Sequence, residues 1–96
     1  SWEIFDRNNK QLTYKICIKN LKKGIKAGCY RKDINPEIMS KIFSEKIDLV
    51  FNGLLFKRAE VSFTEVFNEM INHYILGIVN DDGRKYYLNL QNKLTT

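Results

Sequence analysis

Three side chains have the types and spacing for proton chemistry. His73 follows Glu69 by one helical turn, a separation at which a carboxylate can orient an imidazole base, and Asp48 offers a second acidic partner elsewhere. No nucleophile accompanies them. A single imidazole at the edge of an apolar arc is ordinarily a half-buried or solvated residue. Cys17 and Cys29 stand twelve residues apart in a chain with one His, which supplies neither a zinc ligand set nor a disulfide framework. Without a feature to lower a thiol pKa, both are expected to be reduced fillers of small spaces. There is no glycine-rich phosphate loop. The expectation is a protein that is not an enzyme and has no catalytic residues, metal or cofactor.

Charge raises the question of nucleic acid, since lysine and arginine outnumber aspartate and glutamate by 16 to 11 and the net charge is +5. Distribution answers it. The densest basic group, Lys19, Lys22, Lys23 and Lys26, has the spacing of one solvated helix face, and no aromatic or polar base reader is interleaved with it. With 44% hydrophobic residues, 28% charged and one proline, the chain is composed like an ordinary globular domain rather than a disordered segment. No apolar run approaches the ~18 to 20 residues of a membrane span, and SWEIFDRNNK lacks the basic start and apolar stretch of a signal peptide. A cytoplasmic protein is expected, with no membrane partner. The abrupt start at Ser1 and Trp2, without methionine or a capping residue, is the pattern of a domain cut from a longer chain.

The elements that must position these residues are helices. From Trp2 to about Ala27, Tyr14, Ile18, Leu21 and Ile25 recur at steps of four, three and four, and Gly28 is placed to be the left-handed residue past the last turn. A second helix starts with Asn35 as cap, Pro36 in the first position and Glu37 at the positive end of the dipole, with Ile34 and Met39 as a hydrophobic staple. The third begins with a capping box, Ser62 and Glu65, and runs through Phe63, Phe67, Met70, Tyr74 and Ile78 before giving way at Asn80, Asp81, Asp82 and Gly83. A short fourth helix carries Tyr86, Tyr87, Leu90 and Leu94. The fold expected is all-α, three long helices plus a short C-terminal one, in a single domain over residues 1–96.

The apolar faces are wider than one small chain can cover. On the second helix Ile38, Ile42, Leu49 and their neighbours span an arc of roughly 200°, and the third shows about 180°, against the ~100° stripe of a surface helix. Exposed apolar surface on that scale marks an interaction site, and a symmetric dimer in a four-helix bundle of second and third helices is the expected solution. Phe43, Ile47, Val50, Leu54, Phe67, Met70, Ile71, Tyr74, Ile75 and Ile78 are the expected interface residues. Gly53, within the second helix's arc, either permits close approach or merely weakens the helix end.

Order and spacing then give a resemblance. Gly24, Ile25, Gly28, Tyr30, Arg31, Asp33, Ile34, Asn35, Pro36, Glu37 and Ile38, followed by Phe63, Phe67, Tyr74, Gly77 and Ile78, resemble the C-terminal half of TetR-family transcriptional regulators over nearly the whole chain. The resemblance implies a bacterial repressor whose N-terminal helix-turn-helix region, absent here, binds operator DNA as a dimer. It further implies that the last two long helices form the dimer interface and that preceding helices surround a pocket for a small-molecule effector. Trp2, Phe5, Tyr14, Cys17 and Ile18 are the pocket candidates, combining apolar lining with polar tips, although aromatics at helical spacing more commonly serve a core. A free-standing helical dimerisation or interaction module shares every physical expectation except the DNA-binding half.

Overall fold

A computed structural model describes residues 7–52, 56 and 60–95, and these form four helices: α1 (Arg7–Lys26), α2 (Pro36–Phe51), α3 (Phe63–Ile78) and α4 (Asp81–Thr95). Trp2, Phe5, Gly53 and Leu54 lie outside the described residues. No strand occurs among the described residues, only an isolated antiparallel bridge between Tyr30 and Val79. None of their helices is long and apolar enough to cross a membrane.

The ends of the helices follow from local chemistry. Gly28 has φ 84°, a left-handed conformation open to glycine, and lets the Cys29 amide donate to the Gly24 carbonyl and the Gly28 amide to the Ile25 carbonyl. These are the two bonds of a Schellman cap. The Ile38 amide donates to the Asn35 side chain at the start of α2, and Ser62 and Glu65 complete their reciprocal capping box at the start of α3.

The fourth helix departs from the expectation in its length. The third helix gives way at Ile78, just before Asn80, and the Asn80 side chain accepts from the Gly83 amide at 2.9 Å to cap a new helix that starts at Asp81. Asp81 and Asp82 then stand in the first turn, where negative charge meets the positive end of the dipole. Gly83 sits inside the helix because a β-carbon there would collide with the Cys29 carbonyl. Helix α4 is not short, at 15 residues against 16 for α2 and for α3.

Helices α1 and α2 are the most extensively paired. They run antiparallel, since Lys10 reaches Glu45 and Asp48 at 3.2 and 3.3 Å while Lys22, near the other end, reaches Glu37 at 3.3 Å. Ser40 and Ser44, one turn apart and fully buried, keep α2 slim where it is most enclosed. The aromatic stack of Phe43 on Tyr74, with centroids 3.6 Å apart and planes 13° from parallel, joins α2 to α3.

Leu21, Ile78 and Val79 form the buried core, with Tyr30, Ile34, Met39, Tyr74 and Ile75 packed against them. It lies where the α1–α2 connection meets the α3–α4 connection. There the Arg31 amide donates to the Ile78 carbonyl and the Asn80 amide to the Cys29 carbonyl. The Arg31 guanidinium forks onto Asp33 and also donates to the Gly77 carbonyl at 2.8 Å. Hydrogen bonding to Arg31 holds the Asp33 carboxyl below its ordinary value.

Candidate functional site

A groove of about 560 Å³ lies between α2 and α3. Lys46, Leu49 and Val50 line it from α2, Glu65, Val66, Glu69, Met70 and His73 from α3, and Phe56 and Val61 add to the lining. The helix period explains this set: on α3, residues 66, 69, 70 and 73 share one face, beside the face that Phe67, Tyr74 and Ile78 turn toward their own chain. Phe51, Phe63 and Phe67 pack at centroid distances of 4.9 to 5.9 Å and hold α2 and α3 apart with bulky rings rather than small residues.

The lining is apolar at its base and charged at its edge. Glu65 and Glu69 stand one turn apart on the α3 rim, Lys46 stands on α2, and all three are exposed. The Glu65 carboxylate also accepts from the Ser62 amide and hydroxyl, which ties it to the helix cap. Glu69 forms no ion pair among the described residues.

The expected interface residues divide into two groups. Phe43 and Ile78, at 6% and 3% exposure, are enclosed by their own chain and leave little side-chain surface for another copy. The reason is tertiary packing rather than place on the arc, for Phe43 is stacked on Tyr74 and Ile78 is clustered with Leu21 and Val79. Ile47, Val50, Phe67, Met70, Ile71, Tyr74 and Ile75 are half-buried, and of these Val50 and Met70 line the groove. Leu54 falls outside the described residues.

On α2 the most open apolar residues belong to the wide arc but not to the expected interface residues. Ile38 is 60% exposed and Leu49 52%, with Ile42 between them on the same face of α2. On α4, Tyr86 at 73%, Leu90, and Leu94 at 79% form a second bare stripe. Their four-residue spacing was the available signal. What was missing was the length of α4, which makes its stripe a full face rather than a tail.

Of the pocket candidates, Tyr14 and Ile18 are half-buried on α1 and Cys17 is buried, while Trp2 and Phe5 lie outside the described residues. Burial pushes the Cys17 thiol up from its ordinary value, the opposite of what a reactive thiolate needs. Cys29 is exposed. His73 stands on the groove rim one turn from Glu69, whereas Asp48 is held by Lys10 and accepts from the Asn52 side chain. No group of three or more potential metal ligands occurs among the described residues.

The chain matches no protein-family model, no curated protein and no solved structure.

Proposed function

We propose that this chain is the dimerisation and effector-sensing half of a TetR-type transcriptional regulator, with a homodimer built through α2 and α3. The observation that carries the reading is the uncovered apolar surface of those helices, namely Ile38, Ile42 and Leu49 beside a groove floored by Val50, Val66 and Met70. A single small chain leaves such surface in water only at a cost of about 25 cal/mol for each Å² that a partner would cover.

The residues behind the family resemblance have coherent physical roles, which supports it further. The Tyr30 ring lies over Gly24 where a β-carbon would stand, Gly28 makes the left-handed cap, and Asn35 caps α2. Arg31 reaches Gly77, so the two separated pieces of the pattern meet at one corner. In this reading an unknown small-molecule effector acts through unequal affinity for two arrangements of the dimer, with Tyr14 and Ile18 as part of one pocket wall. Operator DNA is bound by a helix-turn-helix region upstream of these residues.

The test is the gene product that contains this segment. Its coding sequence is expected to specify about fifty to sixty upstream residues with a helix-turn-helix, and the full protein to retard a palindromic DNA as a dimer. A parent protein without that region, or one that ignores DNA, removes the regulator reading and leaves a helical interaction module.

A further inference from the structure

We propose that, in the homodimer just inferred and on the strength of that reading, the bare stripe of α4 from one copy seats in the α2–α3 groove of the other. Tyr86, Leu90 and Leu94 follow one another at intervals of four, so they share one face of α4. That helix meets its own chain through Gly83 in its first turn and beyond it through Tyr87 and Gln91, which donate to the Asn72 side chain at 2.9 and 3.2 Å. The stripe is left to water.

Length and charge point to the groove as its seat. From Tyr86 to Leu94 and from Glu65 to His73 the chain advances eight residues, which at 1.5 Å each is about 12 Å for both ridge and trough. Over Phe63–Ile78, α3 carries Glu65 and Glu69 and no lysine or arginine, whereas α4 from Arg84 onward carries Arg84, Lys85 and Lys93 and no acid. Lys93 stands at the edge of the stripe, about 20° around the helix from Tyr86 at 100° per residue, where a rim glutamate would meet it. Lys46 marks the opposite rim, so the acidic edge of the groove is the α3 edge. Exchange of α4 between two copies fills both grooves by one two-fold operation and closes the assembly.

Cross-linking tests this directly. In a Cys29→Ser background, a chain bearing Met70→Cys is co-expressed with one bearing Leu90→Cys and oxidised. The expected result is a disulfide-linked pair of the two different chains, with neither variant linking to itself. Self-linking of the Leu90→Cys chain would place α4 against α4 and overturn the proposal. A dimer by sedimentation that yields no Met70–Leu90 link would overturn it while leaving the dimer intact, and a monomer would overturn the dimer and this proposal together. As a second arm, Glu69→Lys and Lys93→Glu are each expected to weaken the dimer about tenfold, with substantial recovery when both are present. Additive losses would count against the seat.

Discussion

Asn80 donates through its side-chain amide to the Gly28 carbonyl, 2.6 Å away and 52 residues earlier in the chain. The same side chain accepts from the Gly83 amide, so one residue caps α4 and ties it to the end of α1. Replacing Asn80 with alanine removes both bonds and is expected to lower stability by about 1 to 2 kcal/mol in urea denaturation. Asn80→Asp keeps the cap acceptor and loses the donor, so it should fall between wild type and alanine. An aspartate variant as stable as wild type would show that the Gly28 bond contributes nothing.

Ser40 is fully buried and its hydroxyl has no hydrogen-bond partner among the described residues. An unmet hydroxyl in an apolar setting opposes folding, and alanine is both close in size and a better helix former. Ser40→Ala is therefore expected to raise stability by about 1 kcal/mol. A loss of stability would mean that the hydroxyl is satisfied by a bound water or an exchanging backbone contact.

Phe43 and Ile38 lie on one helix and were drawn from one apolar arc, yet their surroundings differ. Phe43 is stacked on Tyr74 within the chain, whereas Ile38 faces out. Phe43→Ala is expected to cost about 3 to 5 kcal/mol, and Ile38→Ala less than about 1 kcal/mol in the isolated chain. Denaturant midpoints at matched low concentration compare them. Equal costs would place Ile38 in the core.

The Tyr74 phenol is pushed well above its ordinary value, chiefly by burial and then by the neighbouring Cys17 and Tyr30. Its neutral form is favoured in the folded chain, so its contribution is complete below the unfolded value of about 10 and declines as pH rises beyond it. Between pH 8 and pH 11 the wild type should lose more stability than Tyr74→Phe. Parallel losses would show that Tyr74 is solvated.

Much of the local structure was legible in the residues. Asn35–Pro36, Ser62 with Glu65, and Gly28 act through neighbours within about one turn, so their meaning survives without knowledge of the fold. The start of α4 was not legible in the same way. Asn80, Asp81, Asp82 and Gly83 are a turn by composition and a capped helix start by structure; the Asn80 cap is local, but the reason for a glycine inside the helix, Gly83 against Cys29, is long-range. A similar reason hid the division within the apolar arcs. Helix period identifies Phe43, Ile78, Ile38 and Leu49 as apolar-face residues, but only the packing of α1 against α2 and of Phe43 on Tyr74 decides which of them the chain itself encloses.

If a second copy covers the apolar surface on α2, α3 and α4, sedimentation equilibrium at micromolar concentration will register the pair. The wild type is expected at a mass of twice 11.4 kDa, unchanged by Lys22→Glu and shifted toward the single chain by Leu49→Lys, which strands a charge in the contact. A mass of 11.4 kDa for the wild type across the whole concentration range would contradict it.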